Sequence, residues 1–142
     1  SSIGRSVARA LRQQGASVMS TDEYDAAAQA AAANRFDATT YIGFEASSKI
    51  CADISYFAVP SFESVGGRSL GSHLVRELNG LLPITPTLRG MRLPVLRETR
   101  MPAVLCSVGP VRDVVDATGA LTIAVVDAAR KWADAPLPVP SN

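Results

Sequence analysis

The chain has 142 residues and a mass of 14.9 kDa, room for one domain and not for two independent cores. Apolar residues make up 47% of it and charged residues 19%, a composition that sustains a packed core and excludes disorder over most of the length. Fourteen basic residues, twelve of them Arg, face thirteen acidic ones, and the resulting net charge of +1 excludes an electrostatic grip on nucleic acid or on an anionic membrane surface. No apolar run approaches the ~20 residues of a membrane helix, so no membrane span is expected. The chain opens on Ser1 with neither Met nor a leader pattern, which reads as a piece of a longer protein and leaves its compartment, cytoplasmic or cell envelope, undecided.

Taken in chain order, Ile3, Val7 and Leu11 recur at helical spacing beside Arg5, Arg9 and Arg12, and Gly15 stands where a C-terminal cap belongs. Ala16 to Ser20 is partly alternating and predicts a short strand. Thr21, Asp22 and Asp25 offer N-cap chemistry to an Ala-rich helix that runs to about Asn34. Tyr41 to Phe44 reads as a buried strand, and Ile54 to Val59 as another, ended by Pro60. Gly66-Gly67 marks a loop, followed by a helix from Ser69 to Leu82 with Leu70, Leu74, Leu78 and Leu81 on one face.

Ile84 to Arg100 is interrupted by Pro86 and Pro94 and predicts a loop with at most a short edge strand. Ala103 to Val108 is an apolar run of strand length, and a helix follows from about Val114 to Trp132. The division is one α/β domain over residues 1–134 and a Pro-rich tail over 135–142. Strands alternating with helices predict an α/β fold, a twisted, mostly parallel sheet flanked by helices on both faces.

The chemistry-bearing residues are sparse. His73 is the one histidine, so any Ser-His or Cys-His nucleophile would have to be built around it, and it sits at the edge of an apolar helix face. Cys51 and Cys106 are far apart, with no metal-ligand spacing; a framework of disulfides is excluded and a single bridge stays open. Gly66-Gly67-Arg68-Ser69 precedes a helix and reads either as an anion-holding turn or as an ordinary loop with Ser69 as N-cap. Arg97, Glu98 and Arg100 cluster before Met101-Pro102, as a polar wall beside a cleft or as a solvated charge group. Residue chemistry alone assembles no active site.

The segment Leu93-Pro94-Val95-Leu96-Arg97-Glu98-Thr99-Arg100-Met101-Pro102-Ala103-Val104-Leu105 resembles the L-R-x-T-x-M-P-A-V-L approach to the last strand of zinc-dependent N-acetylmuramoyl-L-alanine amidases, the bacterial cell-wall amidases. Other pieces fall in order. Arg12-Gln13-Gln14-Gly15-Ala16-Ser17-Val18 is similar to the family's first helix and the strand entry after it, and Ala33-Asn34 to the close of its second helix. Tyr41 to Ser47 stands where the family has its S-I-H-A-N strand, and Ile54 to Val59 where it has G-V-E-V-Y-Y. The likeness covers most of residues 1 to 133 and implies a twisted mixed sheet flanked by helices.

The resemblance also implies a chemistry that this sequence lacks. The family holds zinc with His, Glu and His and uses a further Glu on its last strand to assist the attacking water. The first two ligands belong to a strand and loop that would precede residue 1, so the N-terminal part of the family fold is expected there. The second His falls on Glu45, and the catalytic Glu falls on Ser107. A carboxylate remains a zinc ligand, but an unactivated hydroxyl is too weak a base to take a proton from water. These departures imply a non-catalytic amidase-like domain with no cofactor, binding peptidoglycan, a muropeptide or a protein of cell-wall synthesis through a cleft lined by Glu45, Arg97, Glu98 and Ser107. The alternative is an active zinc amidase whose remaining ligands lie outside the chain, with Glu98 the nearest base in sequence.

Overall fold

The computed structural model describes residues 2–20 and 25–134. Its elements in order are α1 (Ser2–Gln13), α2 (Ala26–Phe36), β1 (Tyr41–Ala46), β2 (Cys51–Val59), β3 (Phe62–Glu63), α3 (Val65–Leu78), β4 (Thr87–Met91), α4 (Pro94–Glu98), β5 (Ala103–Gly109), α5 (Val111–Asp116) and α6 (Thr118–Asp134). The strands form one mixed sheet. β5 runs parallel to β1 and antiparallel to β2, while β2 pairs on its other side with β4 in parallel and with the short β3 in antiparallel.

Alternation along the strands divides the molecule into two layers. Val104, Cys106 and Val108 of β5 and Ile54 and Tyr56 of β2 turn to one face, where Leu70, Leu74 and Leu78 of α3 and Leu121, Val125 and Ala128 of α6 complete the main core. Ile3 and Val7 of α1 join the same cluster. Ala103 and Leu105 turn to the opposite face and pack with Tyr41, Phe57 and with Val95 and Leu96 of α4 in a smaller cluster. Helices therefore flank both faces, α1, α3, α5 and α6 on one and α2 and α4 on the other, as the α/β reading expects. No helix among the described residues is long and apolar enough to cross a membrane.

Several local expectations change, each for a visible reason. Ala16 to Ser20 belongs to no ladder among the described residues; the Val18 carbonyl instead accepts from Arg12 Nε (3.2 Å) and Nη2 (2.8 Å). Gly15 does cap α1, with φ +91°. Asp25 caps α2 by accepting from the Ala28 amide (3.1 Å); Thr21 and Asp22 lie outside the described residues, as does the predicted tail.

Gly66-Gly67 is not a loop but the first turn of α3, capped by Ser64, which accepts from Gly67 N–H at 3.0 Å; Ser69 is buried inside the helix. A Cβ on Gly66 would run into Pro102 and one on Gly67 would crowd the Ala103 carbonyl, so the two glycines let the helix start against the entry to β5. The Gly67 amide, one of those an anion would use, is already bonded to the Ser64 hydroxyl. The Pro-rich segment forms an edge strand, β4, and a one-turn helix, α4, with Pro94 in its first turn. The last helix is broken at Ala117, where the Thr118 hydroxyl bonds to the carbonyls of Val114 (3.0 Å) and Val115 (2.8 Å).

Two substitutions test this packing. Leu74 is fully buried between α3 and the sheet, and Leu74→Ala is expected to lower stability by about 2–5 kcal/mol in denaturant titration with an unchanged m-value. A Cβ on Gly109 would strike the Ser47 and Lys49 carbonyls, backbone that has nowhere to yield. Gly109→Ala is expected to cost about 3 kcal/mol, the upper part of the overpacking range.

Candidate functional site

The register brings four polar residues from four strands into one row. Glu45 of β1 is the lateral partner of Ser107 of β5, Ser107 of Asp53 of β2, and Asp53 of Thr87 of β4. All four share the face of Tyr41, Ala103 and Leu105, opposite the main core. At the other end of that face α2 and α4 cover the sheet; the polar row is left open, with Glu45 and Thr87 exposed and Ser107 and Asp53 half-buried. One step along lies a second row, Gly43, Leu105, Ser55 and Arg89.

Asp53 is the best-held group in the row. Thr87 Oγ1 donates to its Oδ1 at 2.7 Å, and Arg89 Nη2 stands 3.8 Å from the same oxygen. Next to Ser107, the Cys51 thiol contacts the Ser107 carbonyl at 3.6 Å. Sequence reading missed Asp53 because it began β2 at Ile54. The signal was there: Ala52, Ile54 and Tyr56 alternate inward with Cys51, Asp53 and Ser55 between them, a period of two that extends the strand back to Cys51. Thr87 and Arg89 were missed with the edge strand that carries them.

Of the four residues named from sequence, Glu45 and Ser107 come together as cross-strand partners, whereas Arg97 and Glu98 do not join them. Those two lie on α4 as an exposed ion pair (3.8 Å). Their end of α4 is tied to α2 by Asn34, whose Nδ2 donates to the Glu98 carbonyl (2.9 Å) and whose Oδ1 accepts from Arg100 N–H (2.9 Å). That places them at the Tyr41–Ala103 end of the sheet, four residues or roughly 13 Å along β5 from Ser107.

The remaining candidates are structural. His73 is on α3, which packs on the main-core face, so the sheet separates it from Ser107. Its Nδ1 is buried without a hydrogen-bond partner. Desolvation, reinforced by the cations of Arg76 and Lys131 and opposed by Glu77, holds its pKa below the usual imidazole value. Both cysteines are free, and the bridge left open from sequence is excluded by the pleat: Cys106 faces the main core and Cys51 the opposite face. Of the zinc-ligand positions that the resemblance names, Glu45 is the one that falls among the described residues. No group of three or more His, Cys, Asp or Glu able to hold a metal exists among the described residues, so these residues do not form the metal centre that the resemblance implies, and no chemical step is assigned to one.

Searches of protein-family models and of curated proteins return no match. Solved structures do match. The amidase from Clostridium difficile 630 superposes with a TM-score of 0.76 at 16% identity, over 94% of this chain and 81% of that one. The catalytic domain of CwlV, from Bacillus (Paenibacillus) polymyxa var. colistinus, gives 0.75 at 18% identity over 94% and 82%. AmiC2 of Nostoc punctiforme gives 0.74 at 18% identity over 93% and 81%. All three are N-acetylmuramoyl-L-alanine amidases. This chain has the amidase fold. At these identities the likeness establishes architecture, and the site chemistry rests on the chain's own residues.

The two thiols on opposite faces of the sheet provide a control on the packing. Burial pushes the Cys106 thiol up to about 12, so at pH 8 it is almost wholly protonated, while Cys51 is part-exposed at the rim of the polar row. Alkylation with iodoacetamide at pH 8 is expected to modify Cys51 alone in the folded protein and both thiols in denaturant, read by peptide mass mapping.

Proposed function

We propose that the chain is a non-catalytic, amidase-like domain with a binding or regulatory role in peptidoglycan metabolism. Its ligand is peptidoglycan or a muropeptide, or a protein of cell-wall synthesis. The observation that carries this reading is the centre of the polar row. Ser107 stands there where the resemblance puts a carboxylate, and the one histidine is on the far side of the sheet. Ser107 has no carboxylate of its own and no imidazole on its face of the sheet, and no hydrogen bond joins its hydroxyl to Glu45 or Asp53 among the described residues, so in this reading it has no role as base or nucleophile.

What the row does offer is recognition. The Glu45 carboxylate, the Thr87-Asp53-Arg89 chain and the Ser107 hydroxyl present acceptors, a donor and a cation on an open face, a set that suits the amide, ammonium and carboxylate groups of a peptide stem. Arg97 and Glu98 line the far end of the same face, so only a ligand longer than about 13 Å touches both ends.

A second reading, an active zinc amidase with further ligands from outside the chain, is favoured by the two carboxylates beside Ser107: Glu45 and Asp53 flank it from either side, and Asp53 is nearer to Ser107 than Glu98 is.

Purified muropeptide with zinc supplied separates the two. The binding reading expects no release of the stem peptide together with saturable binding, weakened about tenfold, or ~1.4 kcal/mol, by Glu45→Ala and Arg89→Ala together. Zinc-dependent release of the stem peptide that disappears in Glu45→Ala contradicts it.

A further inference from the structure

α3 and α6 pack against each other on the main-core face, and a polar pair is set into the seam between them. Lys131 of α6 donates to the Glu77 carboxylate of α3 and so ties the two helices across it. The Glu77 side chain is 19% exposed and that of Lys131 57%, so the carboxylate sits in the seam and the ammonium reaches to it from solvent.

His73 stands one helical turn before Glu77, at the spacing that puts two side chains on one face of a helix. Its ring is half-buried, and Nδ1 is buried with no hydrogen-bond partner among the described residues. A neutral imidazole tolerates this by leaving a bare lone pair there. An imidazolium must carry an N–H on both ring nitrogens, and a buried N–H without an acceptor is costly.

The charges that act on the ring are the cations of Arg76 and Lys131 and the carboxylate of Glu77. Elsewhere on α3, Arg68 is engaged by Glu63 (2.8 Å). α6 adds Asp127, one turn before Lys131 on the same side, with Arg130 and Asp134 exposed. From the strands beneath α3, Tyr56, bonded to Glu63, and Cys106, a buried thiol, turn to this face. An imidazolium at this position therefore finds its counter-charge in a carboxylate that Lys131 already holds.

We propose that His73, Glu77 and Lys131 form a proton-driven switch: with the ring neutral, Glu77 ties α3 to α6 through Lys131, and protonation of His73 draws the carboxylate back to its own helix and releases Lys131. A bond across the seam becomes one within α3, and the seam loosens. Desolvation and the two cations already hold the ring below the 6.5 of a free imidazole, so the unfolded chain takes the proton first. The stability that this confers is whole above that value and is lost as the pH falls through it. The switch lies on the face opposite the polar row and does not depend on what the row binds.

The test uses the 142-residue chain, whose one histidine gives a single imidazole signal by NMR. The ring is expected to titrate with a midpoint below 6.5, and the Glu77 Cδ and Lys131 Nζ resonances to shift with that same midpoint. Between pH 7 and pH 5.5 the unfolding equilibrium constant is expected to rise about threefold in denaturant titration. In His73→Gln that rise disappears and both resonances stand still. Glu77→Gln, which removes the shared carboxylate, is expected to lower the ring midpoint further, and Asp127→Asn to leave the response unchanged. The proposal is overturned by a ring midpoint that is not lowered or by Glu77 and Lys131 resonances that do not follow the ring. The same rise in His73→Gln, or a response lost in Asp127→Asn, also overturns it.

Discussion

The register of β5 is the constraint on which the rest of the molecule depends. It is the strand between β1 and β2, and its seven residues alternate between two environments. Val104, Cys106 and Val108 are buried in the main core; Ala103, Leu105 and Ser107 face the layer of α2 and α4. A slip of one residue would send valines to the open face and Ser107 into the core, a change no part of the structure could absorb. The anchors of that register lie at both ends of the strand, the start of α3 against Pro102 and Ala103 at one and Gly109 against the Ser47–Lys49 backbone at the other.

Function follows from this pleat more than from any cluster of reactive groups. Setting Ser107 on the open face aligns it with Glu45 and Asp53 and separates it from His73 by the thickness of the sheet. The same alternation keeps Cys51 and Cys106 apart on opposite faces. The result is an amidase-like scaffold whose open face presents a row of hydrogen-bonding groups. No group of three or more His, Cys, Asp or Glu placed to hold a metal is among the described residues. Asn34 takes a structural part in this scaffold, joining α2 to the segment that leads into β5.

Much of the scaffold was legible in the sequence. Apolar residues at helical spacing marked α1 and the body of α3, and short apolar runs marked β1, β5 and the later part of β2, because burial on one face or on both leaves a pattern that can be read. The amidase resemblance was carried by Leu93 to Leu105, whose residues form α4, the entry to β5 and its first half, where three elements meet. What was not legible depended on contacts distant in sequence. The first turn of α3 contains Gly66-Gly67 because Pro102 lies against it, and the Val18 carbonyl of the Ala16 to Ser20 segment is bonded to Arg12 instead of to a strand. The polar row was half legible: Glu45 and Ser107 came from the motif, while Asp53 and Thr87 become neighbours only through strand pairing across the sheet. Arg97 and Glu98 are close to Ser107 in sequence and far from it along the strand.

The central claim is that these residues keep an amidase-like fold without keeping its metal centre. Zinc content of the purified chain after incubation with excess zinc and exhaustive dialysis tests it most directly. The account predicts that no stoichiometric zinc is retained, since among the described residues Glu45 has no companions grouped with it to close a coordination sphere. About one zinc per chain, lost in Glu45→Ala, would contradict it.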